Sequence, residues 1–437
     1  MAKKLSKIPF IFLVVIALLT IMYPGLPTVI YEGEYNYADV AWMLTAAALV
    51  LIMTPGLAFF YGGMVSKKNV ISTMLQSFIC MAIITVLWVV FGFSLAFGDS
   101  IGGIIGNPAT FFMMSHVIDG KPWPLAPTIP FVLFAIYQLK FAIITPALIT
   151  GAFAERIRFI SYCLFICLFF IVIYAPLAHS TWHPDGLLFK LGVLDFAGGT
   201  VVHMSAGWAA LASALYLKKR SEASHNPARI TYVLLGTGLL WFGWICFNGG
   251  SAYSAGTLAA VALANTMAAS AAAALAWIFF DSYKGKKPSA MGTCMGTVVG
   301  LVAITPAAGF VTIPHSLIIG VVAAVVSNML VDWRSRTSID DTLDVFPCHG
   351  VGGMVGMLLT GVFAHQSING ANETGNGLIY GEAHLFLVHL GALIGVSAFA
   401  FCGSWLLLKL TDIITPLRVS EEDEELGLDI SQHGEKL

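Results

Sequence analysis

Residues 127–178 read PTIPFVLFAIYQLKFAIITPALITGAFAERIRFISYCLFICLFFIVIYAPLA. Two apolar runs, 127–153 and 159–178, flank a short knot whose charged residues are Glu155, Arg156 and Arg158. Inside the runs stands one charge, Lys140. A helix needs about 20 consecutive apolar residues to cross the hydrocarbon core of a bilayer. Backbone in lipid must satisfy its own hydrogen bonds, as a helix does. The stretch therefore reads as two membrane-crossing helices joined by a tight basic turn.

The same pattern extends in both directions. Eleven such stretches are expected, near 38–62, 69–97, 127–153, 159–178, 196–217, 229–248, 256–280, 289–309, 313–332, 349–364 and 383–411. Of 437 residues, 58% are hydrophobic and 11% charged, and mean hydropathy is +0.84. Soluble domains carry about 25% charged residues, so this chain has too little charge to clothe a water-facing surface. The net charge of −2 argues neither for nor against an acidic or basic partner, and no basic stripe points to nucleic acid. The seven cysteines (Cys80, Cys163, Cys167, Cys246, Cys294, Cys348 and Cys402) lie within apolar runs and read as packing residues, not as a disulfide framework.

The connections alternate in charge. One set holds Lys67 and Lys68, Arg156 and Arg158, Lys218 to Arg220 with Arg229, Lys284 with Lys286 and Lys287, and Arg334 with Arg336; the other holds Lys121 and Lys190. Basic loops stay cytoplasmic, which predicts a cytoplasmic C-terminus and an outside N-terminus in the mature protein. Lys3, Lys4 and Lys7 precede an apolar run from Ile8 to about Met22, the form of a signal peptide. Residues 1–25 are thus expected to be a leader or an extra N-terminal helix, 26–415 a single transmembrane domain, and 416–437 a cytoplasmic tail.

An odd number of spans suggests five plus five plus a C-terminal helix. An internal echo supports an inverted repeat: Asp195 is followed at the eighth position by His203 and then by Gly207, and Asp341 likewise by His349 and Gly353. In such repeats the corresponding segments meet near the pseudo-two-fold axis.

Ionisable groups inside spans are costly and mark pathways by default, which singles out His203 and His349. Each imidazole can donate with one nitrogen and accept with the other, so a facing pair could line a pore; a pair of core histidines bonded to backbone is the alternative. Asp195 would sit about 12 Å above His203 if the segment between them were helical. There it could steady a cation losing water, cap a helix, or both. Phe141 within the third span, Trp182 in the outer loop before the fifth, and Phe247 and Ser251 at the close of the sixth form a second constellation, whose aromatic faces can hold a small cation or simply belong to the interfacial belt. His179, His183 and Asp185 have a metal-like spacing, but Pro184 interrupts the helix that would present them.

At these residues the chain resembles the ammonium transporter (Amt/Mep/Rhesus) family over nearly its whole length. The resemblance is carried by Pro55 to Met64, Gly151 to Phe159, Asp195 to His203, Phe247 to Ala252, Thr305-Pro306-Ala307, Asp344 to Gly350 and the tail from Leu426 to Glu435. The microbial Amt branch is the better match. The resemblance implies a homotrimer with one pore per subunit and no cofactor or metal. It also implies no enzymatic activity, and a PII-type signalling partner at the cytoplasmic face of the cell (inner) membrane. By motif position, Phe141, Trp182 and Ser251 would bind ammonium, and Phe141 with Phe247 would gate the path. Asp195, His203 and His349 would line the pore. Tyr137 stands where the family often has Phe, Lys140 adjoins the gate, and His183-Pro184-Asp185 follows Trp182 in place of a glycine-rich turn. Lys140 would repel ammonium if it faced the pore, and is the reason to weigh an ammonium sensor with little flux as the alternative.

Overall fold

The computed structural model describes residues 7–27, 31, 33–222 and 226–437. It is a bundle of helices, apart from a two-stranded antiparallel hairpin, β1 (Ser100–Ile101) and β2 (Ile105–Gly106). In chain order the helices are α1 (Ile8–Met22), α2 (Tyr37–Met64), α3 (Lys67–Phe97), α4 (Phe131–Phe153), α5 (159–182), α6 (Gly199–Leu217), α7 (Ile230–Gly249), α8 (Thr257–Tyr283), α9 (Ala290–Ile304), α10 (Ile313–Ser335), α11 (Phe346–Phe363) and α12 (His384–Ile414). Two short helices, α13 (Glu421–Leu426) and α14 (Leu428–His433), complete the tail. The leader or extra helix expected at 1–25 falls partly on residues 1–6, outside the described residues; α1 buries none of its side chains.

Among the described residues, ten helices are long and apolar enough to cross a membrane. The stretch expected at 289–309 differs. Its helix, α9, has 15 residues, about 22 Å at 1.5 Å per residue, against a core of about 30 Å. Proline at 306 cannot continue the ladder, and the chain turns at 305–310 instead. Helix α9 can be this short because protein surrounds it: it packs against α7, α8, α10 and α11, and the run from Cys294 to Ile304 is buried throughout. Gly296 and Gly300 permit the approach. A Cβ at either would lie 2.7 Å or less from an α8 side chain, Trp277 or Ala273 respectively. Small residues serve helix contacts in membranes this way because lipid supplies no hydrophobic drive between helices.

Burial separates the carriers of the interior from the periphery. Of their apolar windows, 83% in α4 and 78% in α6 are buried, against 39% in α10 and α12. Helices α6 and α11 cross closely where a Cβ on Gly207 would fall 2.1 Å from the amide nitrogen of Gly350. Both begin with a wide π-helical turn, Gly199–Met204 in α6 and Phe346–Val351 in α11. Such turns recur at functional sites.

The tail lies on the face that carries the basic loops. Arg158 donates its amide to Leu417 and Val419 donates to Arg156. Asp429 caps the start of α3, accepting the amides of Ile71 and Ser72. Fully buried Arg156 bonds the carbonyls of Ala152 and Asp340, and Arg220 bridges Glu155 and Asp340. Residues that set the sequence-level charge count are thus also structural ties.

Candidate functional site

The two histidines meet. His203 and His349 are 1% and 3% exposed, and their Nδ1 atoms stand 3.4 Å apart. The rings are offset at 5.5 Å and inclined by 27°. A single proton can lie between two Nδ1 atoms, so one ring donates and the other accepts. The pair therefore holds two different tautomers, and its two Nε2 atoms present one donor and one acceptor. The Nε2 of His203 is buried without a protein partner, which leaves that atom open to a small polar visitor.

Local structure explains the meeting. Asp195 caps the π turn of α6: Oδ1 accepts the amides of Gly198 and Gly199, and Oδ2 accepts the amide and hydroxyl of Thr200, at 2.5–2.7 Å. Residues 195–198 are not helical, since Gly198 adopts φ +117, a left-handed conformation open to glycine. Asp195 is therefore a cap in a loop and not a residue two turns up the helix of His203. Asp341 does the same for α11, Oδ2 accepting the amide of Phe346 at 2.7 Å. The two glycines of the echo are reciprocal. Gly207 lies against Gly350 and the carbonyl carbon of His349, while a Cβ on Gly353 would stand 3.2 Å from Gly199 O and from the Cβ of His203. Each segment's glycine makes room for the other segment's histidine turn, as an inverted repeat requires.

Toward the Asp195 end, Phe141 and Phe247 stack with centroids 4.2 Å apart, and both are essentially unexposed. Phe247 lies 6.2 Å from the His203 ring, so stack and histidines adjoin. Trp182, half-buried, stands edge-on to Phe141 at 5.7 Å and donates its Nε1–H to the carbonyl of Asp195. Ser251 donates to Phe247 O at 2.8 Å. The seven residues expected at the site, Phe141, Trp182, Asp195, His203, Phe247, Ser251 and His349, form one connected file, which Asp195 joins through its main-chain carbonyl.

Tyr137 is more than a departure from pattern. Its hydroxyl reaches Cys246 O and Phe247 O at 3.0 and 2.8 Å and lies 3.4 Å from Ser251 Oγ, fastening α4 to the end of α7 where Phe247 sits. Lys140 lies on the partly exposed stripe of Val132 and Ile136, while Phe141, about 100° around the helix, is buried with Tyr137. The lysine thus faces away from the file. The metal-like triplet is otherwise engaged: His179 contacts Ala96 O and Ser100 Oγ, His183 accepts the amide of Asp185, and Asp185 pairs with Lys190. Among the described residues there is no group of three His, Cys, Asp or Glu that could hold a metal ion.

With this geometry established, the comparisons with known proteins are decisive. The model of the Ammonium Transporter Family matches residues 41–437. The chain belongs to that family. A putative ammonium transporter of Methanothermobacter thermautotrophicus is 45% identical over 402 residues, which cover 92% of this chain and 98% of that one. An ammonium transporter of Bacillus subtilis is 43% identical over 91% of this chain and 98% of its own. Among solved structures, Saccharomyces cerevisiae Mep2 superposes with a TM-score of 0.84 at 35% identity, covering 90% of this chain and 89% of that chain. A sensor Amt protein superposes at 0.81 with 29% identity, covering 91% and 98%.

Residue-level reading missed Trp244 in this family member. It stacks on His203 at 5.1 Å and 19° and is fixed by its Nε1–H bond to Thr305 Oγ1. The signal was available: Trp244 is three residues from Phe247 on α7, hence on the same helix face.

Proposed function

We propose that this chain carries ammonium or ammonia across the membrane, and the observation that carries the reading is the unpartnered, buried Nε2 of His203 within a touching imidazole pair directly below the Phe141–Phe247 stack. The cation would collect among Phe141, Trp182 and Ser251, where aromatic faces supply part of what hydration gave up. An unpaired ammonium in low dielectric costs several kcal/mol, so the cation gives its proton to water above the stack and ammonia passes the histidines. Potassium has no proton to give and stops there. Asp195 acts through its cap: with both oxygens occupied, it shapes the π turn and holds the carbonyl that Trp182 grips, and its charge favours a cation above. The named function of the relatives supports the same substrate.

Several further assignments follow from this reading. The subunit works in a homotrimer in the cell (inner) membrane, with the basic loops and tail in the cytoplasm and the N-terminus outside. Residues 1–25 act as a leader or an extra N-terminal helix. A PII-type protein docks on the cytoplasmic face. The likeness to a sensor Amt protein favours a second reading, binding with little flux, although Lys140 no longer argues for it.

The test is uptake of methylammonium into proteoliposomes with and without a membrane potential. Saturable uptake, displaced by ammonium and not by potassium, is expected. Tight ammonium binding without uptake would favour the sensor, and neither binding nor uptake would refute both.

A further inference from the structure

We infer that His389 is a positioning residue for the outer site, an inference that rests on the transport reading above. It stands on α12, is fully buried, and joins three elements. Its Nδ1 lies 2.7 Å from the carbonyl oxygen of Met357 on α11, and its Nε2 lies 3.0 Å from the amide nitrogen of Leu194. A carbonyl can only accept and an amide can only donate, so the partners dictate a neutral ring with its proton on Nδ1. The close approach that this bridge needs is supplied by Gly361, where a Cβ would stand 3.4 Å from the Cβ of His389 and 3.0 Å from the Cα of Phe386.

Leu194 immediately precedes Asp195, and this gives the bridge its consequence. The Leu194–Asp195 peptide segment is gripped from three sides: its amide by His389 from α12, the Asp195 carbonyl by Trp182 from α5, and the Asp195 carboxylate by the first amides of α6. Trp182 and the histidine turn are thus referred to a common point whose height is set from α11 and α12. Leu194 is buried, and without His389 its amide has no replacement partner at that place, a loss of the kind that makes a buried segment shift until water reaches it. The segment that would move carries the hydrogen bond orienting Trp182, so the effect falls on cation capture rather than on the passage past the histidines.

Two substitutions test this. His389→Phe keeps the ring and removes both bonds; His389→Gln keeps one donor and one acceptor. Methylammonium uptake into proteoliposomes gives the half-saturating concentration and the maximal rate, and hydrogen exchange of the 187–200 segment is followed on the same purified proteins. His389→Phe is expected to raise half-saturation about tenfold with the maximal rate held within about twofold, and to speed exchange in the segment. His389→Gln is expected to return both readouts most of the way. Unchanged half-saturation in His389→Phe, a loss of rate that merely follows the amount of folded protein, or a glutamine variant as impaired as the phenylalanine one would overturn the assignment. If the unsubstituted protein gives no uptake, the transport reading fails and exchange alone decides the anchoring: faster exchange in His389→Phe upholds it, and equal exchange ends it.

Discussion

The segments around Asp195 and Asp341 share one sequence pattern and part ways in how completely it is satisfied. Asp195 has both oxygens filled by four donors from its own turn. Asp341 accepts Phe346 through Oδ2, while its Oδ1 is buried with no hydrogen-bond partner. The glycines differ in the same sense. A Cβ at Gly207 would meet backbone at 2.1 Å, whereas one at Gly353 would meet its nearest atoms at 3.2 Å. The Asp195 copy is a closed, fully bonded cap. The Asp341 copy is one partner short, and it lies beside a carboxyl, Asp344, that burial pushes up to about 7 despite its pairing with Arg334. One pattern is thus filled completely and packed against backbone in one copy, and less completely filled and less tightly packed in the other.

Substitutions can break this contrast. Gly207→Ala forces backbone apart at the α6–α11 crossing and is expected to abolish recovery of monodisperse protein, read by size-exclusion chromatography in detergent. Asp195→Asn replaces one acceptor oxygen with a donor facing amides that can only donate. A loss of about 3 kcal/mol is expected, seen as a fall in melting temperature together with weakened ammonium transport. Were Asp195→Asn as mild as the equivalent change at Asp341, the contrast would be false.

The pH dependence sharpens it. In the folded chain Asp344 holds its proton to about 7, above the ordinary carboxyl value of 3.8. A raised acid binds the proton more tightly folded than unfolded, so its contribution to stability falls as pH rises from about 4 to about 7 and then levels. Melting temperature should therefore decline over that window in the unsubstituted protein, and Asp344→Asn should flatten the decline. A profile unaltered by Asp344→Asn would remove this carboxyl from the account. The smallest effects are expected at the Asp341 copy. Asp341→Asn, which can leave an oxygen toward Phe346, and Gly353→Ala, which needs its neighbours to give by a few tenths of an ångström, should each cost about 1 kcal/mol or less.

Much of this was legible from residue types. Ionisable groups in apolar runs announce themselves, so His203, His349 and the Asp-to-His echo could be read before any coordinates, and basic loops marked the face where the tail lies. What could not be read has physical reasons. The span expected at 289–309 is cut short at Thr305-Pro306, and a hydropathy pattern does not report that α9 is wrapped by protein and so need not match the bilayer. The height of Asp195 is not legible in the sequence because a left-handed glycine at 198 turns the expected helix into a capping loop. Lys140 looked troublesome in one dimension, yet one residue on a helix is a change of face. His389 carried the same signal as the pore histidines, an imidazole in the apolar run 383–411, but its partners, Leu194 and Met357, lie far away in sequence.

Ammonium flux through the unsubstituted protein and through the paired His203→Leu, His349→Leu variant, reconstituted at equal density and confirmed to be folded, tests the histidine-lined path most directly. Saturable uptake in the first and a loss of at least about tenfold in the second is the expected result. Equal uptake in both would mean that ammonium takes another route and that the buried imidazoles only pack.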